Sequence, residues 1–338
     1  MNLPLVTVII PVRNGEQFIA QAIESILSQA LADLELILVD DASTDRTPDI
    51  IQSYSGPRLR VLRNLRRMGV SASRNRALAE SHAPYVAFLD ADDIAYSHRL
   101  EKQIGFLENH PEVAMVGSHL DYIDAEGHLL YSERPGQRPC NPDELRMELL
   151  KRACILPSTA TGRKAALVQA GGFPQMDYAE DHDLWCRLAV NHDLAILPDR
   201  LVAYRHHPNQ ATFKKISRSY KATQACIRRA KERYVAAGIM QPDDQASAPT
   251  VWEHLCGERN SRGAAYTQWA ELHSWALRQP HQALPLAGMG LLFSPLNIRA
   301  WKILLRSAEQ LLLPASFSRT LHWYGTKLRD ALSRKASK

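Results

Sequence analysis

Short strand-like segments, separated by longer amphipathic stretches, limit the fold of this chain more than any other feature of its sequence. Three of them, at residues 6–12, 35–39 and 85–89, are rich in β-branched and other large apolar residues, and Arg60-Val61-Leu62 is predicted as a further short strand. A strand that is apolar along its whole length is typical of a parallel sheet with helices on both faces. The stretches between the segments carry apolar residues at helical spacing. This order predicts an α/β fold with a mostly parallel central sheet flanked by helices.

The composition is that of an ordinary globular protein, because 45% of its 338 residues are hydrophobic and 23% are charged. These values exclude collagen-like, disordered and coiled-coil classes. Five scattered cysteines without a CxxC pair argue against a disulfide framework and a structural zinc site. We find no signal-peptide pattern, and the most apolar stretch, residues 283–293, is shorter than the ~20 residues that span a bilayer. We therefore expect a cytoplasmic protein, soluble or peripheral at the inner membrane face.

Acidic residues follow two of the predicted strands at the point where each strand ends. Asp40 and Asp41 end the second segment, and Asp90, Asp92 and Asp93 follow the fourth. Ligands of doubly wound folds bind beyond the carboxyl ends of the strands, so we expect these carboxylates at one edge of the sheet. They repel each other unless a cation or hydrogen-bond donors stabilise them, and oxygen ligands suit Mg²⁺ or Mn²⁺. Chance clustering on solvated loops is the alternative.

Six segments in order resemble the motifs of the family 2 glycosyltransferases, which are nucleotide-sugar enzymes of the GT-A fold. The resemblance extends over about residues 4–212. The segments are VIIPVRN (8–14), VDDASTD (39–45), GVSASRN (69–75), FLDADD (88–93), GGF (171–173) with EDHDLW (180–185), and YRHHP (204–208). The resemblance implies a GT-A nucleotide-sugar glycosyltransferase domain over residues 1–212, followed by a basic, largely helical C-terminal region over residues 213–338.

The Asp90-Ala91-Asp92 triplet resembles the DxD motif of this family. The resemblance implies that Asp92 is a direct ligand of Mn²⁺ or Mg²⁺ and that Asp90 binds metal or ribose. A divalent cation stabilises the charge that accumulates on a departing nucleotide diphosphate. Asp93 is given no definite role, and a loop cap or turn is the structural alternative for the triplet.

Other segments match the family's nucleotide-sugar site. Asp41 matches the position whose carboxylate accepts a hydrogen bond from the base, which favours a UDP-sugar because the N3–H of uracil is a donor. Pro11, Arg13 and Asn14 match the positions where the first strand meets base and ribose. An N-cap of the next helix is an equal alternative for Asn14. Arg74 matches the first residue of an Arg-Asn pair, and it is either a diphosphate ligand or part of a surface helix face.

The segment 180–183 resembles the acidic motif that supplies the family's catalytic base. The resemblance implies that Asp181 deprotonates the acceptor hydroxyl while that oxygen attacks the anomeric carbon with inversion. Glu180 is the second candidate for the base. Alternatively, Asp181 or Asp183 merely caps the following helix, because carboxylates favour a helix N-terminus. Trp185 is expected in the core or in the wall of the acceptor pocket.

His207 matches a segment in which related enzymes place a histidine near the metal and the diphosphate. An imidazole there completes the metal coordination or donates to a phosphate. The adjacent His206 leaves the assignment ambiguous, and a surface histidine is the alternative.

The C-terminal region differs from the rest of the chain in charge. Residues 1–210 contain 21 Lys and Arg and 28 Asp and Glu, a net charge of −7, whereas residues 211–338 contain 20 and 8, a net charge of +12. Residues 301–306 and 309–313 are predicted helices with apolar stripes typical of a core. Five tryptophans and the positive charge also suit a helical module that binds anionic membrane peripherally. Solvated basic helices are the alternative, and nucleic acid is disfavoured because no motif for it is present.

These features together predict a metal-dependent, inverting hexosyl- or N-acetylhexosaminyltransferase. It would add one sugar to a saccharide or lipid-linked glycan, as in bacterial cell-surface polysaccharide synthesis. A processive synthase is disfavoured because no QxxRW motif is present. A nucleotidyltransferase is disfavoured because Gly15 stands alone where a Gly-rich phosphate loop is expected. An inactive nucleotide-sugar binding module is the remaining alternative, against which the retained Asp90, Asp92 and Asp181 argue.

Overall fold

A computed structural model describes residues 3–133, 138, 141–207, 210, 216–241, 287 and 303–305. The chain divides into two compact units, Met1–Ala246 and Ser247–Lys338, and the elements described below belong to the first. In the second unit residues 303–305 are helical. The rest of the helix predicted at 301–306, and all of the helix predicted at 309–313, lie outside the described residues. The boundary after residue 212 stays a prediction.

The first half of the sheet is parallel, as predicted. Strand β1 (Val6–Val12) pairs with β2 (Leu34–Asp40) and β4 (Tyr85–Phe88), and β2 pairs with β3 (Leu59–Arg63). The crossovers contain the helices α1 (Ile19–Leu27), α2 (Thr47–Ser53) and α3 (Val70–Glu80). In the order β3-β2-β1-β4 all four carboxyl ends lie at one edge, which is where such sheets bind ligands.

The second half of the sheet is mixed. Its strands are β5 (Ile94–Ala95), β6 (Val113–Ile123), β7 (Leu129–Ser132), β8 (Thr161–Arg163) and β9 (Asp193–Arg205). Strand β8 joins the two halves, because it pairs antiparallel with both β4 and β6. Strands β6 and β9 are parallel, and β5 and β7 are antiparallel to β9 and β6. The parallel strands predicted from the sequence thus form one half of a mixed sheet.

Two apolar cores cover the two faces of the sheet. Ile9 of β1 packs in one core with Phe88 and Trp185, whereas Val8 and Ile10 belong to the other. Alternate residues of a strand point to opposite faces, which is why β1 is apolar at nearly every position. Trp185 is fully buried, so it belongs to the core.

Five helices accompany the second half of the sheet in the described residues. They are α4 (Arg99–Asn109), α5 (Pro142–Leu149), α6 (Lys164–Gln169), α7 (Glu180–Asn191) and α8 (Ile216–Ala236). A 3-10 turn, Pro157–Thr159, lies between α5 and β8.

Helix α8 packs against α7 around one buried carboxylate. Asp183 accepts hydrogen bonds from Arg187 on its own helix at 2.8 Å and from Arg229 and Arg233 on α8 at 3.2 and 3.4 Å. Burial acts to raise the pKa of Asp183, but these guanidinium groups hold it below its usual value. Asp183 therefore ties α8 to α7, which is a different role from the helix cap considered above.

Candidate active site

The loops that follow β1 and β2 are hydrogen-bonded to each other at the carboxyl edge of the sheet. Asn14 Oδ1 accepts from the Thr44 N–H at 2.8 Å, and the Asn14 N–H donates to Ser43 Oγ at 3.0 Å. Asn14 has a φ of 53°, a conformation that asparagine tolerates better than most residues. The N-cap of α1 is Phe18, so the alternative that Asn14 caps this helix is wrong.

Asp41, directly after β2, is buried and accepts three hydrogen bonds. Oδ1 accepts from Asn64 Nδ2 at 2.8 Å and from the Met68 N–H at 2.7 Å, while Oδ2 accepts from the Gly69 N–H at 2.9 Å. Each carboxylate oxygen has two acceptor sites, so Oδ2 retains capacity for one more donor. Asp41 thereby fixes the loop between β3 and α3.

The two DxD carboxylates have different partners. Asp90 Oδ1 accepts from Arg74 at 2.7 Å. Burial raises the pKa of Asp90, with Arg74 acting against this rise and Asp92 adding to it. Asp92 Oδ2 lies 2.9 Å from Nε2 of His207. Two residues that the sequence predicts as metal ligands, one from each half of the sheet, are therefore in direct contact.

The structure distinguishes the two adjacent histidines. The ring of His207 is buried beside Asp92 and packs on Phe18, with 4.8 Å between ring centroids. His206 stacks on Tyr122 instead, with a centroid distance of 5.1 Å and 7° between the planes. The histidine near the DxD carboxylates is thus His207, and the alternative of a surface histidine is wrong for this position.

Asp93, for which the motif resemblance implies no definite role, is a buried link between distant strands. Its Oδ1 accepts from the Arg205 N–H at 2.9 Å, and its Oδ2 accepts from the Ser158 hydroxyl. Arg205 also donates from Nε to the Asp92 carbonyl at 2.8 Å. Burial, together with the charges of Asp92 and Asp90, raises the pKa of Asp93 well above its usual value. This network holds the DxD loop against the end of β9.

Arg74 joins the two acidic motifs of the site. It donates from Nη2 to Asp90 at 2.7 Å and from Nη1 to Glu180 Oε1 at 2.8 Å. Its guanidinium also lies 5.2 Å from the ring centroid of Phe173. Burial opposes its charge, but Asp90 and the acidic residues of α7 hold the pKa of Arg74 above its usual value. Arg74 is 2% exposed, so the alternative of a surface helix face is wrong.

Glu180 and Asp181 are the first two residues of α7, after an N-cap at Ala179. Burial and the charge of Asp181 raise the pKa of Glu180, against the effect of Arg74. Burial also raises the pKa of Asp181, while Arg74 and the His182 N–H lower it. Glu180 is committed to an ion pair with Arg74, whereas Asp181 makes no ion pair with any described residue. The position of Asp181 in the first turn also agrees with the alternative of a helix-stabilising acid.

Asn75 holds the loop that leads to α7. Its Oδ1 accepts from the Phe173 N–H at 2.8 Å, and its Nδ2 donates to the Phe173 carbonyl at 2.7 Å. Gly172 has a φ of +64°, and a Cβ there would lie 2.6 Å from Asn75 Oδ1. A glycine is therefore needed at this position. Because Asn75 follows Arg74, one turn of α3 contacts both the loop and the acidic motif beyond it.

The remaining predicted residues lie on the β1 side of the edge. Pro11 pairs with Val39 in the sheet, and Arg13 is exposed. Neither makes a side-chain hydrogen bond or ion pair with the DxD carboxylates in the described part of the chain. Sequence reasoning missed Asn64 and Ser158, which hold Asp41 and Asp93. The position of Asn64 directly after β3 is a usable signal, whereas no pattern marks Ser158.

Two groups of side chains have the chemistry of a metal site. Asp90, Asp92 and His207 present carboxylate oxygens and an imidazole nitrogen, which suit Mn²⁺, and the carboxylates also suit Mg²⁺. The second group brings ligand atoms within 4.8 Å of one another and consists of Asp124, Glu126 and His128. It lies on an exposed turn and is held together by its own hydrogen bonds, so it does not require a metal.

Comparison with known sequences identifies relatives. The model of the glycosyl transferase family 2 matches residues 7–170. An uncharacterized glycosyltransferase of Methanocaldococcus jannaschii is 30% identical over 210 residues, covering 61% of this chain and 72% of the relative. WfgD of Escherichia coli, a UDP-Glc:alpha-D-GlcNAc-diphosphoundecaprenol beta-1,3-glucosyltransferase, is 24% identical over 221 residues, covering 64% of this chain and 84% of WfgD.

Solved structures share the fold. S. aureus TarS in complex with UDP has a TM-score of 0.57 at 19% identity, with 90% of each chain covered. The mannosyltransferase PcManGT from Pyrobaculum calidifontis, in complex with GDP-Man and Mn²⁺, has a TM-score of 0.50 at 18% identity, covering 97% of this chain and 81% of PcManGT. Among the described helices, none is long and apolar enough to cross a membrane. The family match, the curated relatives and the GT-A architecture together show that the chain belongs to glycosyl transferase family 2 and is a glycosyltransferase.

Proposed function

We propose that the protein transfers one sugar from a UDP-sugar to a saccharide or lipid-linked glycan, with inversion at the anomeric carbon and with a divalent cation. The observation that carries the proposal is the pair of contacts by which Arg74 joins Asp90 to Glu180. Leaving-group departure and acceptor deprotonation occur on opposite sides of the transferred sugar. One buried cation connects the two motifs to which the family resemblance gives these tasks.

The donor is a UDP-sugar bound at the ends of β1 and β2. Asp41 supports this choice, because its Oδ2 keeps one acceptor site that suits the N3–H of uracil. Pro11, Arg13 and Asn14 stand beside it, where base and ribose are expected. Relatives and neighbours differ in their donors: WfgD is named for UDP-Glc, TarS binds UDP, and PcManGT binds GDP-Man. The proposed preference for a donor with a uracil base therefore depends on Asp41.

Asp92, Asp90 and His207 are the residues that would hold Mn²⁺ or Mg²⁺. When bound there, the cation supplies positive charge to the diphosphate leaving group. Asp92 Oδ1 and Asp90 Oδ2 make no hydrogen bond within the described residues, so each carboxylate keeps an oxygen for a ligand. His207 offers Nε2, which now contacts Asp92. The Mn²⁺ in the PcManGT complex supports the same choice of metal.

Asp181 is the base, and Glu180 is a positioning residue. Glu180 is paired with Arg74, so its carboxylate is not available to an incoming hydroxyl without loss of that ion pair. Asp181 has no such partner, and burial raises its pKa, which strengthens it as a base. Asp181 takes the hydroxyl proton as the acceptor oxygen bonds to the anomeric carbon and the nucleotide diphosphate departs from the opposite face. The transferred group is a hexose or an N-acetylhexosamine.

The acceptor is a saccharide or a lipid-linked glycan of bacterial cell-surface polysaccharide synthesis. WfgD, whose name specifies a diphosphoundecaprenol acceptor, supports this class. The basic region 213–338 would then bring the enzyme to the anionic inner face of the membrane, through the net charge of +12 that residues 211–338 carry. Co-sedimentation with anionic but not with neutral vesicles is the expected result, and equal binding to both would contradict this part of the proposal.

The activity is tested with the full chain, Mn²⁺ and a panel of UDP-, dTDP- and GDP-sugars, by following release of the nucleotide diphosphate. We expect release from a UDP-sugar that is abolished by EDTA and by Asp92→Ala. The matched control is Asp49→Ala, which removes an exposed acid on α2 and should leave release unchanged.

Nucleotide binding, measured by calorimetry, separates the alternatives. Binding of UDP without release from any donor, even with saccharide and lipid-linked acceptors added, would favour the inactive binding module. Absence of binding would contradict the donor site itself.

A further inference from the structure

An unusual charge distribution surrounds β3. Between Asp49 and Glu80 the chain has seven arginines and no acidic residue. Five of these arginines form hydrogen bonds or ion pairs within the fold, and they are Arg58, Arg60, Arg63, Arg74 and Arg76. The other two, Arg66 and Arg67, are exposed and have no hydrogen bond or ion pair with any described residue. The fold therefore leaves these two adjacent positive charges unpaired.

Apolar side chains stand on both sides of this pair. Leu65 is fully exposed, at 101%, and Met68 is 47% exposed. A single exposed leucine is ordinary on a protein surface. Here, however, two apolar side chains bracket two unpaired guanidinium groups on one loop. We call residues 65–68 the tip loop.

The tip loop is a fixed projection rather than a lid. On one side the Asn64 N–H donates to the Asp40 carbonyl at 2.8 Å, and Asn64 Nδ2 donates to Asp41. On the other side the backbone N–H groups of Met68 and Gly69 donate to the same Asp41 carboxylate. Only three residues lie between these two attachments. They are too few to fold over a ligand, so their side chains keep pointing into solvent.

The tip loop lies at the edge of the sheet that carries the candidate site. It follows the carboxyl end of β3, which is the terminal strand of the sheet and parallel to β2. Arg46, in the loop after β2, is exposed at the same edge, and Arg63 keeps 62% of its side chain exposed despite its ion pair with Asp40. Two further basic side chains thus lie at this edge, with the acidic residues Asp40 and Asp45 beside them.

We propose that the tip loop is a membrane-contact site, at which Leu65 and Met68 enter the headgroup region of an anionic bilayer while Arg66 and Arg67 bind lipid phosphates. Apolar side chains next to cations suit the boundary between headgroups and acyl chains, and the planar guanidinium matches phosphate geometry. The inference rests on the proposed function in one respect: a bilayer at this edge would present a lipid-linked acceptor to the site. The tip loop is separate in sequence from the basic C-terminal region.

Insertion is measured at the loop itself. Leu65→Cys in the full chain is labelled with the environment-sensitive dye NBD, and the parent chain treated in the same way gives the background of the native cysteines. Val168→Cys, at an apolar position of α6 that is 54% exposed, is the matched control. With vesicles of phosphatidylcholine and phosphatidylglycerol we expect a blue shift and quenching by nitroxide-labelled lipids at residue 65 alone. Pure phosphatidylcholine vesicles should give a much smaller change. An unchanged spectrum at residue 65 would overturn the proposal.

Partitioning onto the same vesicles tests the two side-chain types separately. Leu65→Ser with Met68→Ser, and Arg66→Glu with Arg67→Glu, should each weaken binding, the charge reversal by about tenfold or more and less at high salt. Val168→Ser and Lys151→Glu, at exposed positions elsewhere, should not. Vesicle binding equal to that of the parent would contradict the proposal. So would loss of UDP affinity by the tip variants without vesicles, because the loop would then serve the donor. None of these measurements requires turnover, so failure of the proposed transferase activity is a distinguishable result.

Discussion

In the proposed function, the loops after β1 and β2 form the donor side of the candidate site, and α7 with the loop before it forms the acceptor side. These two sides are held together in different ways. On the donor side, short loops after parallel strands bond to each other, as Asn14 does with Thr44 and Asp41 with Met68. On the acceptor side, α7 is held by ion pairs between distant parts of the chain: a buried pair joins Glu180 to Arg74, and buried Asp183 pairs with partly exposed arginines of α8. Removing one partner of a buried ion pair costs more than removing a partly exposed hydrogen bond. The acceptor side should therefore be the more sensitive to single substitutions.

The largest effect is expected at Asp181, where catalysis and donor binding should separate. Asp181→Asn keeps the shape of the side chain but removes the base, so kcat should fall by about 10²- to 10⁴-fold. UDP affinity, which depends on the other side of the site, should stay unchanged. Turnover with the identified donor and acceptor, together with calorimetry of UDP, provides the measurement. The matched control is Asp177→Asn, at an exposed acid before α7. If Glu180→Gln abolished turnover while Asp181→Asn retained it, the base would have to be reassigned.

Arg74 tests whether the two sides depend on one buried cation. Arg74→Met leaves Asp90 and Glu180 without their partner, and breaking a buried pair in this way costs about 3–5 kcal/mol of unfolding free energy. Urea denaturation of the variant provides the measurement. The exposed neighbour Arg76 is the control, and Arg76→Met should cost about 1 kcal/mol or less. Equal stability of the two variants would show that the ion pairs do not hold the acceptor side.

Arg74 should also determine the acid limb of the pH–rate profile. Its charge lowers the pKa of Asp181, which burial raises. The base is active when deprotonated, so removing the charge should raise its pKa further and move the acid limb to higher pH. Arg74→Lys keeps a positive charge and should shift the limb less than Arg74→Met. A limb at the same pH in all three proteins would contradict the coupling between Arg74 and the base.

The same contrast explains what the sequence can and cannot predict. Strands β1, β2 and β4 were predictable because they are almost wholly apolar, and Asp41 and Asp90 because they follow such strands. The motif resemblance identified Arg74 as a site residue, but only the structure shows its ion pair with Glu180, which is 106 positions away in the sequence. The role of Asp93 depends on Ser158 and on the backbone of Arg205, two partners that its local sequence does not reveal. Local pattern therefore identifies which residues belong to the site, whereas the contacts that hold them there are tertiary and are shown only by the structure.

A smaller effect should distinguish His207 from His206. His207→Ala removes one proposed ligand and should raise the Mn²⁺ concentration for half-maximal activity by at least about 10- to 100-fold, which is the usual cost of losing a residue that only supports a metal ligand. His206→Ala removes the ring that stacks on Tyr122, so it should lower stability and leave the Mn²⁺ requirement unchanged. Titration of activity with Mn²⁺ after EDTA treatment checks both. A changed requirement in His206→Ala alone would reverse the assignment.

The smallest expected effect is at Gly172, where α3 of the donor side contacts the loop that precedes α7. Gly172→Ala places a Cβ 2.6 Å from Asn75 Oδ1 at a φ of +64°, which should cost about 1–2 kcal/mol in thermal or urea unfolding. The matched control, Gly105→Ala within α4, meets open space and should instead stabilise the protein by about 0.5–1 kcal/mol.

Because the loop leads to Asp181, Gly172→Ala should lower kcat more than UDP affinity. Asn75→Ala removes the atom that the new Cβ would contact. The double variant should therefore lose less unfolding free energy than the two single variants together. If the two losses of unfolding free energy were strictly additive, Asn75 would not be the reason that position 172 needs a glycine. The link between the two sides would then depend on Arg74 alone.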